Sequence, residues 1–171
     1  PPRARAPRRG EATAVEWMHI AIPYTSDFNA IVIRNIQTYQ PQNTIIHSTV
    51  PVGTTRQIEK EADYATRVYF SPVRGRHPNL ASAIRSFPKW YACSVPGEED
   101  DAIISYFAAA GIQTRKAPNF ETLELMKIWE TTSFAVQLIM WAEIENELKR
   151  IPGDRRANMN AMKNWLFEKR K

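Results

Sequence analysis

Two segments combine residue types and spacing that could do chemistry. The first is Ile45–Thr55, IIHSTVPVGTT. A β-rich run ends in small hydroxylated residues, passes through Pro51-Val52-Gly53 and opens a helix at Thr54-Thr55. Gly53 lets the backbone turn and Thr54 can cap the helix. Such a helix start offers backbone N–H groups and hydroxyls to an anionic or polar ligand. Spacing alone favours the plainer alternative, a capped β–α turn. The second segment is Ser71–Asn79, SPVRGRHPN. Arg74, Arg76 and His77 follow a strand-like run, and two guanidinium groups with an imidazole can hold a phosphate or carboxylate. A solvent-facing polar loop explains them equally well. His77 has no His, Cys or carboxylate at metal-ligand spacing, so no metal is expected. His47 lies within a strand-like run and reads as a satisfied core or edge histidine.

Alternating strand and helix patterns must position these segments. Strand-like runs cover Glu16–Ile22, Thr44–Ser48, Ala65–Phe70, Lys89–Ser94 and Gln113–Lys116. Helical patterns fall between them, from Asp27 to Gln40, Thr54 to Ala62, Leu80 to Ser86 and Glu98 to Ala110. A long helix then runs from Phe120 to about Arg150 without Gly or Pro, Ile151-Pro152-Gly153 breaks it, and an amphipathic helix spans about Asp154–Lys169. This order predicts an α/β fold with a mostly parallel sheet of about five strands and right-handed crossovers. Ligands of such sheets bind beyond the carboxyl ends of the strands. The turns at Pro23–Asp27, Ser48–Thr55 and Ser71–Asn79 are therefore the functional segments.

Composition narrows the classes. The chain has 171 residues, 43% hydrophobic and 24% charged, which suits one globular domain with an appendage. No apolar run approaches the ~20 residues that cross a bilayer. The first residues are basic with no apolar stretch after them, so no signal peptide is expected. A single cysteine, Cys93, excludes an intramolecular disulfide and a Cys-cluster zinc site, and makes the cytoplasm the default compartment. The net charge of +5 sits at the ends: 1–11 carries +3 and 154–171 carries +4, leaving −2 between them. Residues 1–14 read as a Pro/Arg-rich tail, solvated rather than binding. The five tryptophans are spread along the chain, not clustered with the basic residues. Nucleic acid is therefore disfavoured as a partner.

Ser48-Thr49-Val50-Pro51-Val52-Gly53-Thr54 resembles the STVPxGT strand–turn of the UDP-glucose/GDP-mannose dehydrogenase family. His19–Pro23 is similar to that family's strand ending in a "VPTP"-like turn. Glu124-Leu125-Met126-Lys127, followed by Thr131, resembles the start of its long central helix. The three pieces agree in order and spacing, and the resemblance covers roughly Val15 to Arg150. It implies a partial Rossmann-like domain at 15–119, followed at 120–171 by the central helix and a C-terminal helix. It implies NAD as cofactor, with Thr49 touching the nicotinamide end and Pro23, Ser48 and Pro51 beside it. Lys127 would stabilise charge on the substrate, with Thr131 in place of the helix asparagine. Arg74, Arg76 and His77 would meet a nucleotide sugar or other anionic small molecule. A homodimer through the long helix or an open sheet edge is implied as well.

The departures matter as much. None of the six glycines forms GxGxxG, which a dinucleotide fold uses to admit the pyrophosphate. Val73 stands where the family has a catalytic glutamate, and Cys93 is not the nucleophilic cysteine. The expectation is thus the middle portion of such an oxidoreductase, not catalytically competent alone. The alternative is a non-enzymatic α/β binding or assembly module derived from the fold.

Overall fold

The computed structural model describes residues 15–63, 66–75, 80–94 and 101–167. The 1–14 tail, Arg76, His77 and the expected helix residues at 98–100 and 168–169 lie outside them. In chain order the elements are β1 (Trp17–Ile20), α1 (Phe28–Tyr39), β2 (Asn43–Ile46), α2 (Thr54–Glu61) and β3 (Arg67–Phe70). There follow α3 (Leu80–Ser86), β4 (Lys89–Cys93), α4 (Asp101–Ala108), β5 (Thr114–Lys116), α5 (Phe120–Leu148) and α6 (Arg155–Phe167). The fold is α/β and Rossmann-like, with a five-stranded, mostly parallel sheet followed by a long helix and a C-terminal helix.

The sheet order is β1-β2-β3-β4-β5. β1, β2 and β3 are parallel, with Trp17, Asn43 and Arg67 in one row and Ile20, Ile46 and Phe70 in another. β4 runs antiparallel to β3, and β5 parallel to β4. The reversal has a local cause. Among the described residues between β3 and β4 the chain makes the seven-residue α3, and it re-enters the sheet at the end where β3 stopped. Lys89, the first residue of β4, hydrogen-bonds the carbonyls of Ser71 and Pro72 just beyond β3. A strand entering there can only run back.

Alternation along the strands divides the core into two layers. Ile20, Ile46, Val68, Phe70 and Ala92 face one side and pack with Phe28, Val32 and Ile36 of α1, Ile58 of α2, and Phe120 and Leu123 of α5. Ile45, Tyr69, Tyr91 and Cys93 face the other side with Ile103 and Phe107 of α4, and Trp17 packs against them. All four residues of β2 are buried, as expected of a strand covered on both faces. α1 places Phe28, Val32 and Ile36 on one stripe at helical spacing and ends at Gln40, which adopts the left-handed conformation before Pro41.

The described residues fall into two compact units, divided within α5 between Ile128 and Trp129. The first contains the sheet. The second contains the remainder of α5 and α6, and there the Lys163 ammonium lies over the Trp141 ring. Among the described residues no helix is long and apolar enough to cross a membrane.

Phe28 is fully buried in the first layer. Phe28→Ala is expected to cost about 3–5 kcal/mol, through lost burial and the cavity left behind. Urea unfolding would read this as a lower midpoint at unchanged slope.

Candidate functional site

The carboxyl ends of β1, β2 and β3 lead into the segments at 21–27, 47–53 and 71–75. Main-chain and side-chain bonds fasten these ends to each other. The His47 amide donates to Ile20 O and the Ser71 amide to Ile46 O. The Ser48 hydroxyl donates to Ile22 O at 2.6 Å, and the Ser71 hydroxyl to Trp90 O at 2.8 Å. Ser48 is thus buried and engaged within the protein. Pro23, Thr49 and Pro51 are exposed, whereas Val50 between them is buried. The turn anchors itself through Val50 and Ser48 and presents Thr49 outward.

At the end of this turn Gly53 has φ +93°, and a Cβ built there meets nothing within 4 Å. The glycine serves the left-handed backbone rather than a close approach. Behind it lies a residue to which the sequence assigned no role. The Glu124 carboxylate, fully buried on α5, accepts from the Gly53 amide at 2.6 Å and the Thr55 amide at 2.8 Å. These amides belong to the helix start that spacing had offered to an external anion. Here they hold an internal one. Burial pushes the Glu124 carboxyl up from its ordinary range, while the bonds from Thr55 and Gly53 pull it down. Nearby, Arg56 of α2 pairs with Glu121 and Glu59 and stacks over the Phe120 ring. The start of α5 is thereby clamped to α2 and the turn.

That clamp sets the position of Lys127, three residues further along α5 and half-buried. Its charge is felt by Lys89, a second residue absent from the sequence-based set. Lys89 is 7% exposed, and its Nζ donates to Ser71 O at 3.0 Å and Pro72 O at 2.9 Å. Burial first, and Lys127 second, bring its pKa from 10.5 down to about 8.

The remaining expected residues are placed as follows. The exposed Arg74 has its guanidinium over the Phe87 ring, 5.4 Å from the centroid. Val73 beside it is half-buried. Thr131 is exposed and belongs to the second unit. Cys93 is a buried thiol in the α4-side layer. Among the described residues no group of His, Cys, Asp and Glu could hold a metal ion.

His47 joins a polar chain. Its Nδ1 lies 2.6 Å from Ser71 O and its Nε2 2.8 Å from His19 Nδ1. His19 Nε2 in turn lies 2.8 Å from the Tyr106 hydroxyl on α4. Burial, then the Lys89 charge, lowers both imidazoles, His47 to about 4.

No protein-family model and no curated protein sequence matches the chain. Solved structures do. The chain is similar to a UDP-D-ManNAc dehydrogenase from Pyrococcus horikoshii, with TM-score 0.64 and 14% identity over 84% of this chain and 38% of that one. It is similar to an imine reductase from Aspergillus terreus in complex with NADPH4 and dibenz[c,e]azepine, with TM-score 0.65 and 9% identity over 88% and 52%. A reductive aminase from the same organism, in complex with NADPH and ethyl levulinate, gives 0.61 and 10% over 91% and 56%. The chain spans between 38% and 56% of the length of these structures. At such identities the likeness is one of fold, that of a Rossmann-like dehydrogenase or reductase.

Glu124→Ala leaves two amide donors without their acceptor and is expected to cost roughly 2–4 kcal/mol. Glu124→Gln keeps one acceptor oxygen and should lose less than half of that. Denaturant midpoints of the two variants compared with the parent check both the size and the order.

Proposed function

We propose that the chain supplies the nicotinamide side of a dinucleotide-binding site in an oxidoreductase of the nucleotide-sugar dehydrogenase type, acting in the cytoplasm. The observation carrying this reading is the Glu124 clamp. It docks α5 on the β2–α2 turn that carries the exposed Thr49, and Lys127 follows Glu124 by three residues on the same helix. Thr49 contacts the nicotinamide end of NAD, flanked by Pro23, Ser48 and Pro51. Lys127 stabilises negative charge on the reacting alcohol, with Thr131 one helical turn beyond it. Arg74, with Arg76 and His77, takes the anionic groups of a nucleotide sugar. Hydride transfer also needs a Gly-rich pyrophosphate site, which this sequence does not contain. Binding, rather than turnover, is therefore the activity assigned to the chain alone.

Calorimetric titration with NAD is expected to show saturable heat in the millimolar range or below. Thr49→Val should weaken that binding about tenfold, the effect of one lost hydrogen bond. Lys127→Met should leave NAD binding unchanged and weaken a UDP-sugar about tenfold, the loss of a single charge-assisted contact. Absence of heat at millimolar NAD would sink the reading.

The second reading, a binding or assembly module, is favoured by large apolar side chains left exposed on α5. Trp129, Val136 and Ile139 are 61%, 59% and 66% exposed, and among the described residues β1 ends the sheet on one side. Both readings include a homodimer, formed through the long helix or the β1 edge. Sedimentation is expected to give a dimer at micromolar concentration, with Trp129→Glu and Ile139→Glu shifting it toward monomer. A monomer unaffected by either change rules out the helix interface.

A further inference from the structure

The chain Tyr106–His19–His47–Ser71 has a fixed direction, which follows from elementary donor and acceptor rules. The Ser71 carbonyl can only accept, so His47 Nδ1 carries hydrogen. Burial keeps the His47 ring neutral, so its Nε2 accepts and His19 Nδ1 donates. His19 Nε2 is then the acceptor and the Tyr106 hydroxyl the donor. Both imidazoles are thus Nδ1–H tautomers at neutral pH. The rings also stack, with centroids 5.1 Å apart.

We propose that Tyr106, His19 and His47 form an acid-operated latch that ties α4 and β1 to the Ser71–Gly75 strand end and holds that segment in its ligand-facing position. The latch counts protons. A first proton goes to Nε2 of His19, whose residue is exposed, and the Tyr106 hydroxyl turns to accept it. The chain survives. A second proton on His47 Nε2 would face the His19 Nδ1–H across the 2.8 Å contact. Two donors cannot share it, so the rings must part.

The groups around His47 make the second proton costly until the medium is acidic. His19 faces it from β1, and Lys89 of β4 shares its Ser71 acceptor. Lys127 of α5 adds charge acting on Lys89, and Tyr106 of α4 acts through His19. Tyr69 and Cys93 belong to the same apolar layer. The acids Glu16 and Asp101 share with Tyr106 the rim of a cleft at the amino ends of the strands. Both histidines are lowered on folding from 6.5. The latch's stability is therefore fully present above about pH 6.5 and is lost as pH falls through about 4, the value for His47.

The latch does not depend on which ligand the site takes, so its test is separate from the binding experiments. Imidazole nitrogen NMR on the full chain, followed from about pH 7.5 to 4, reads each ring's tautomer and protonation. Expected are Nδ1–H tautomers for both rings at the start and protonation of His19 before His47. Protection of the Val73, Arg74 and Gly75 amides from exchange, taken against the intrinsic rate at each pH, should then fall by about tenfold or more as His47 titrates. In His19→Phe the lower protection should already be present at neutral pH, while Tyr106→Phe should leave the His47 tautomer intact. An Nε2–H tautomer in either ring overturns the proposal. So does protonation of His47 at or before His19, or amide exchange indifferent to His47. The parent protein alone delivers these readings should a variant fail to fold.

Discussion

A buried carboxylate between two parts of the chain governs the geometry of the candidate site. Glu124 is taken out of water, which alone is unfavourable for an ionised group. It is accommodated because two amides at the start of α2 converge on its oxygens and the helix dipole favours negative charge there. The bond therefore has direction. It requires α5 to pass over the β2–α2 turn in one register, with Leu123 in the core on one side and Lys127 one turn later. A one-residue slip of α5 would remove the acceptor and expose Leu123. The Arg56–Glu121 pair supports the same contact from a more exposed position, where an ion pair contributes little. The energetic weight lies with Glu124 and the apolar contacts around it.

The reversal of β4 supplies the other half of the site. It brings Lys89 to the end of β3, placing a mostly buried ammonium group against two carbonyls. With β4 parallel, its first residue would lie at the opposite end of the sheet. The strand ends would then lack this cation, and Lys89 would lack its Lys127 neighbour.

Much of this was legible in the sequence, and the limits have physical causes. The β2 run, its turn and the start of α2 were evident because glycine, proline and hydroxyl residues mark a strand-to-helix turn locally. The α1 stripe was evident because its period is local too. The direction of β4 was not. Sixteen residues lie between Ser71 and Pro88 in chain order, enough for either a crossover or a return, and only the position of α3 decides. Lys89 looked like an ordinary first strand residue, since its partners are backbone carbonyls that leave no mark on sequence. His19 was read within an apolar strand. Its partner His47 is 28 residues away, and only the strand register makes them neighbours. Glu124 stood in the quoted ELMK segment, but spacing could not show that the turn's amides were already occupied.

The Ser71 carbonyl receives an imidazole N–H and an ammonium N–H on one oxygen. Both lone pairs are committed, and the Ile20, Ile22 and Ile46 carbonyls are each engaged by their own donors. Each of those three keeps a second lone pair, whereas the Ser71 oxygen has none left to offer. A donor arriving at the end of β3 would have to displace the His47 imidazole or the Lys89 ammonium from that oxygen, while one arriving at β1 or β2 would not.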